Sequence, residues 1–206
     1  MAVSTIASHM LVIMLHGVGS SGADLAPLAN AWKDTLPSAV FASPNAPSPS
    51  SFGAGYQWFS VSGVTEDNRS GRIKEARQAF DDTISAIIKE NGFADRLERV
   101  VLVGFSQGTI MALDAVASGR WPVGAVVGFS GRLASPLPIA PAVKTPVLLV
   151  HGSADPVIPA TETTRAAAAL QTFGMNVETI IVPRLGHTIS ADSAARAGAF
   201  MAEALK

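Results

Sequence analysis

"VVLVGFSQGTI" (residues 100–110) decides how the rest of the chain is read. Val100 to Val103 form a short apolar run dominated by β-branched side chains, as expected of a strand buried on both faces. Ser106 follows at once, with Gly104 two residues before it and Gly108 two residues after. A hydroxyl at the mouth of an apolar strand, between residues that lack side chains, fits a sharp strand-to-helix turn. Such a turn strains the serine backbone, and side chains two positions away would collide with the neighbouring strand and helix. Glycine removes the collision. The turn lifts the hydroxyl above the carboxyl ends of the strands, where open α/β sheets bind their ligands.

Working outward, short apolar runs near 10–15, 39–42, 99–104, 123–129, 146–150 and 177–182 alternate with helical patterns. The alternation predicts an α/β fold with a mostly parallel central sheet and helices on both faces. The clearest helix spans about 70–90, where Ile73, Ala76, Phe80, Ile84, Ile87 and Ile88 recur three and four apart and Asn91-Gly92 supply the stop. Further helices fit 107–118, 161–172 and 190–205, and no internal repeat is visible. The stretch 43–69 is rich in Pro, Ser and Gly yet carries Phe52, Tyr56, Trp58 and Phe59. It reads as a long loop, and its aromatic residues serve either a ligand or the edge of the core.

A chain of 206 residues suits one core, so residues 1–206 are expected to form one domain. Apolar residues make up 48% and charged residues 15%, the balance of a packed globule. A formal net charge of -1 supplies no electrostatic footprint for nucleic acid and no basic patch for an anionic membrane. The longest apolar stretch, "MLVIML" at 10–15, is far short of the roughly 18 residues that span a bilayer, which argues against integral membrane association. "MAVSTIASHM" has no Lys or Arg and no long apolar region, so no secretory signal is expected and a cytoplasmic location follows by default. The absence of cysteine excludes both a disulfide framework and a thiol nucleophile. Nothing in the sequence indicates an oligomer.

A serine hydroxyl is a poor nucleophile near neutral pH and needs a base, which in turn needs a carboxylate to orient it. If the turn is that of an α/β-hydrolase, an acid and then a histidine should follow the serine in chain order. The run "PVLLV" (146–150) leads into "HGSADPVIP", placing Asp155 just past the carboxyl end of a strand. The run "VETIIV" (177–182) leads into "PRLGHTIS", placing His187 in the corresponding loop. Taken singly, Asp155 also reads as a turn residue before Pro156 and His187 as a helix cap; together they stand in the required order. His16 and His151 each precede a glycine at a strand end and read as partners of loop backbone, while His9 falls in a segment expected to fray. Asp24 and Asp114 do not follow the right strands.

An acyl-transfer site also needs donors aimed at the oxygen that becomes negative. The glycines of "LHGVGSSG" (15–22) let the backbone bend so that the Val18 amide faces Ser106, although they also suit a plain tight turn. The Gln107 amide, at a helix N-terminus, is the second candidate.

The segments "LHGVG", "YQWF", "GFSQG", "FSGRL" (129–133), "TPVLLVHGSADPVIP" and "LGH" run in order over nearly the whole chain. Together they resemble the phospholipase/carboxylesterase family of α/β-hydrolases, which includes the acyl-protein thioesterases. The resemblance implies an α/β-hydrolase fold, a triad of Ser106, Asp155 and His187, and an oxyanion hole from the amides of Val18 and Gln107. It implies a small-molecule ester or thioester substrate and no cofactor or metal. With no long insertion between Asp155 and His187, an open site without a lid domain is expected. The chain departs from the family in Val18 (commonly Leu), Ser60 (commonly Asp) and Thr109 (commonly Gly). Phe52, Tyr56, Trp58 and Phe59 are the candidates for an apolar acyl groove suited to short and medium chains. Acyl transfer or perhydrolysis on the same triad, and a binding protein without turnover on the same scaffold, stay open at this point.

Overall fold

The computed structural model describes residues 10–206, so His9 lies outside the described residues. Along the chain run β1 (Met10–Leu15), α1 (Ala26–Trp32), β2 (Ala39–Ala42), β3 (Ser48–Pro49), β4 (Tyr56–Gln57) and α2 (Glu66–Glu90). They are followed by β5 (Val100–Phe105), α3 (Gln107–Ala117), β6 (Ala125–Phe129), β7 (Val147–Gly152), α4 (Thr161–Gln171), β8 (Val177–Val182) and α5 (Ala191–Ala204). The main sheet has six strands in the order β2-β1-β5-β6-β7-β8, and each neighbouring pair is parallel. β3 and β4 form a separate antiparallel ribbon.

Alternation along the strands sends successive side chains to opposite faces. Leu11, Ile13, Leu15, Val100 and Leu102 join Ile73, Phe80 and Ile84 of α2 and Met111 of α3 in one buried cluster. Val12, Met14, Val101 and Val103 join Trp32 of α1 and Ala197 and Met201 of α5 in the other. Both faces of the central strands are therefore covered, which is why these runs read as continuously apolar. Because the strands are parallel, Leu15, Phe105, Phe129, Gly152 and Val182 all end at the same edge, and the loops after them gather there.

Local chemistry explains where the elements differ from the sequence expectation. α2 starts at Glu66 instead of about 70. A capping box opens it: the Asn68 amide donates to Thr65 Oγ1 at 3.3 Å, and the Thr65 amide donates to Asn68 Oδ1 at 2.8 Å. This first turn is polar, so it left no mark on the apolar periodicity. α1 spans only seven residues, too few for a periodic signal, and is anchored by Trp32, whose indole donates to the Ala194 carbonyl at 2.7 Å. Among the described residues no helix is long and apolar enough to cross a membrane.

α3, which starts directly after Ser106, is fixed against α2 by a buried carboxylate. Arg77 donates to both oxygens of Asp114, at 2.9 and 2.8 Å, and Arg120 donates to the same group at 3.0 Å while also gripping Asp81. Burial alone would raise the Asp114 pKa. Hydrogen bonding and the two guanidinium charges outweigh that cost and hold it below the ordinary aspartate value.

Two outcomes test this description. Gly108 has no room for a methyl group, since an added Cβ would overlap the Leu15 carbonyl of β1, whereas Gly71 in α2 faces open space. Urea titrations are expected to show Gly108→Ala destabilised by about 1–3 kcal/mol and Gly71→Ala stabilised by about 0.5–1 kcal/mol. A depressed pKa means that Asp114 stabilises the fold fully above the unfolded value, about 3.9, and that this contribution fades as pH falls through the lower folded value. Wild type should therefore lose more stability as pH falls below about 4 than Asp114→Asn does. Equal acid slopes would contradict the assignment.

Candidate active site

Ser106 sits between β5 and α3 with φ 52° and ψ -112°, a conformation that L-residues avoid and that must be enforced by its surroundings. Its amide donates to the Phe129 carbonyl of β6 at 2.9 Å. Space decides the flanking residues: a Cβ at Gly104 would overlap the Thr109 amide, and one at Gly108 would overlap β1. Thr109, in place of a family glycine, donates its hydroxyl to the Phe129 carbonyl at 2.8 Å. Its side chain fills the space over Gly128 and Gly131, neither of which has room for a Cβ. The departure in α3 is thus matched by glycines on β6 and just beyond it.

The loops after β7 and β8 bring two further side chains to the serine. His187 Nε2 lies 3.0 Å from Ser106 Oγ, and His187 Nδ1 lies 2.7 Å from Asp155 Oδ2. The other carboxylate oxygen, Oδ1, accepts the amides of Val157 at 2.8 Å and Ile158 at 2.9 Å. The Asp155 side chain is fully buried and that of His187 is 18% exposed. Burial by itself would raise the Asp155 pKa, but the hydrogen bond from His187 and those from Ile158 and Val157 prevail and hold it below the ordinary value. The Phe105 ring lies against the imidazole with centroids 5.0 Å apart.

Of the two amides expected to act as donors, that of Val18 lies in the loop after β1, next to Gly17, and that of Gln107 directly follows Ser106. Gly17 packs so closely that an added Cβ would lie 3.3 Å from Ser106 Cβ, and Gln107 opens α3. Among the described residues neither the Val18 nor the Gln107 amide has a backbone acceptor. The Gln107 side chain does something that its sequence position did not reveal. Its Oε1 accepts the Trp58 amide at 2.8 Å and its Nε2 donates to the Phe59 carbonyl at 2.7 Å, strapping the 43–65 loop to the head of α3.

His16 bonds backbone, as its place before a glycine suggested. Its Nε2 accepts the Ala46 amide at 2.9 Å, which leaves the proton on Nδ1 for the Gly17 carbonyl at 2.7 Å. Burial lowers its pKa, in keeping with a neutral ring. His151 bonds the Ile158 carbonyl at 2.8 Å, and in addition Thr163 Oγ1 at 2.8 Å and Asp155 Oδ2 at 3.2 Å, two contacts the sequence did not signal.

The acyl-groove expectation needs correction. Trp58 (3% exposed) and Phe59 (7%) belong to the core under α2 instead of lining a groove. Trp58 meets Phe80 edge-on and donates its indole N–H to the His16 carbonyl at 3.0 Å. Tyr56 is half-buried beside His16 and pairs in β4, whereas Phe52 stays 61% exposed. Aromatic residues in a Pro/Gly-rich segment announced burial, and only the fold says against what. Val18 (37%) and Val157 (61%), on loops that also bear site residues, are exposed as well. An open groove of 290 Å³ lies beside Phe105 and Thr188, with Leu25, Leu28 and Ile189 in its wall and Ser20 and Asp24 at its margin.

The phospholipase/carboxylesterase family model matches residues 3–205. The chain belongs to that family of hydrolases. It is 36% identical to esterase YpfH of Escherichia coli over 182 residues, covering 88% of this chain and 77% of that protein. It is 29% identical to acyl-protein thioesterase 1 of Gibberella zeae, covering 94% and 90% of the two chains. The crystal structure of esterase PE8 superposes with a TM-score of 0.88 at 34% identity, covering 96% of this chain and 93% of that one. The fold is thus that of a phospholipase/carboxylesterase hydrolase.

Within this family member, Trp58→Ala is expected to act on stability first. Deleting a buried indole should cost about 3–5 kcal/mol, read as a lowered urea midpoint. An unchanged midpoint with an altered ester chain-length preference would return Trp58 to the substrate wall.

Proposed function

We propose that the protein is a serine esterase that cleaves carboxylic esters, and thioesters of the same acyl groups, through an acyl-enzyme. The observation that carries this reading is the continuous hydrogen-bonded series from Ser106 Oγ through His187 to Asp155, at 3.0 and 2.7 Å. His187 Nε2 takes the hydroxyl proton as Oγ attacks the acyl carbonyl, and Asp155 holds the imidazole tautomer and stabilises its cation. The Val18 and Gln107 amides receive the carbonyl oxygen as it becomes negative. Collapse expels the alkoxide or thiolate, which takes the proton from His187 and leaves as alcohol or thiol. Water then attacks the acyl-enzyme with His187 again as base, and returns free acid and Ser106.

The leaving group must sit on the histidine side, because it collects its proton there. The groove beside Phe105 and Thr188 supplies an apolar wall for it. The acyl chain runs past the exposed Val18, Phe52 and Val157, a surface that suits short and medium chains. Relatives bearing the names esterase YpfH and acyl-protein thioesterase 1 support the ester and thioester classes.

Ser106→Ala removes one oxygen and is expected to abolish turnover of p-nitrophenyl esters, at least about a thousandfold in kcat, and to stop covalent labelling by a fluorophosphonate. Labelling that persists in the folded variant would place the nucleophile elsewhere. If wild type hands the acyl group to an added alcohol in preference to water, acyl transfer replaces hydrolysis as its reaction.

A further inference from the structure

We infer that His151 is a positioning residue that acts through Asp155, the inference resting on the esterase reading above. His151 lies at the end of β7, is fully buried, and meets no substrate-accessible surface. Its Nε2 is 2.8 Å from the Ile158 carbonyl and 3.2 Å from Asp155 Oδ2. A carbonyl and a carboxylate can only accept, so Nε2 carries the proton; it donates to the Ile158 carbonyl, with the Asp155 oxygen in close contact beside it. With the proton on Nε2, Nδ1 accepts from Thr163 Oγ1, 2.8 Å away in the first turn of α4.

Asp155 Oδ2 therefore faces two imidazoles, His187 at 2.7 Å and His151 at 3.2 Å. Oδ1 is held by the Val157 and Ile158 amides. Two amides on one oxygen fix the carboxylate along one edge. The His151 ring packs against the other edge and, by holding the Ile158 carbonyl, keeps the turn that carries those amides in place, so that Oδ2 stays facing His187 Nδ1. Ile158 makes the arrangement a closed unit, since its amide binds the carboxylate while its carbonyl binds His151. Three donors, His187 and the Val157 and Ile158 amides, compensate the buried anion, and its lowered pKa follows from them. His151 thus selects one orientation of Asp155, and with it one tautomer of His187, before any substrate arrives.

The test compares variants on a p-nitrophenyl ester. His151→Phe keeps the ring volume and loses both nitrogens. Loss of the Nε2 donor frees the Ile158 carbonyl and the turn that orients Asp155, which is expected to lower kcat roughly tenfold to a hundredfold with KM little changed. Thr163→Val breaks the ring's other anchor and leaves the Nε2 donor, so it should lower Tm and leave kcat within about threefold. In an Asp155→Ala background His151→Phe should cause no further loss of kcat. Full kcat in a folded His151→Phe, a parallel fall of kcat in Thr163→Val, or multiplying losses in the Asp155→Ala background would each overturn the inference. If His151→Phe fails to fold, His151→Gln and His151→Met take its place. Activity kept by Gln, which retains a donor, and lost by Met supports the role, and equal activities overturn it. Failure of the esterase reading is recognised separately, because Asp155→Ala would then keep wild-type kcat.

Discussion

Ser106 occupies a backbone conformation that would relax if its neighbours allowed it, and the surrounding structure is arranged so that they do not. Its amide is tied to β6, Gly108 presses on the last carbonyl of β1, and Gly104 presses on the head of α3. The turn is therefore closed on each side by main chain, which moves less than side chains do. Buried apolar strands supply the rigidity that this requires: the side chains of β1 and β5 are almost wholly removed from solvent. The energy of burial is spread over both sheet faces, whereas positive-φ backbone outside glycine is confined, among the described residues, to Ser106, Ser130 and Arg184.

The same economy of room governs the loops that meet the serine. Gly152 ends β7, and the chain of Leu185 and Gly186 passes directly over it, so that no side chain fits there. That close passage places His187 above the carboxyl edge. Asp155, three residues after Gly152, is turned back by the amides that follow it. Polar groups in this region are almost all paired, although the buried hydroxyl of Ser130, beside the elbow, has no partner among the described residues. His16, Gln107 and Trp58 carry the order outward by tying the 43–65 loop to the loop after β1 and to α3.

The strands and the Ser106 turn were legible because each is specified by a local rule. A buried parallel strand must be apolar throughout, and a strand-to-helix elbow must have glycine on either side. Asp155 and His187 were legible because a parallel sheet delivers every strand end to one edge, so that chain order alone gives proximity. The members that escaped notice obey no such rule. α1 is too short for a period, and the first turn of α2 is polar. Trp58 and Phe59 looked like ligand residues because hydrophobicity states that a side chain will be covered without naming what covers it. His151 and the side chain of Gln107 act through contacts across the fold, with Asp155 and with Trp58 and Phe59, that depend on side-chain placement.

The two ends of the Ser106–His187 hydrogen bond are 81 residues apart, and the Asp155–His187 pair is separated by 32. Every strand pair of the main sheet is parallel, so each needs a crossover before it can form. Chains of this kind reach their native state slowly, because distant segments must meet before the contacts reward them. β8, which delivers His187, is an outer strand and, among the described residues, pairs only with β7. During renaturation, helical signal should thus return well ahead of enzymatic competence, and a nascent chain still inside the ribosome beyond β7 would hold Ser106 in place before its hydrogen-bond partner His187 has arrived.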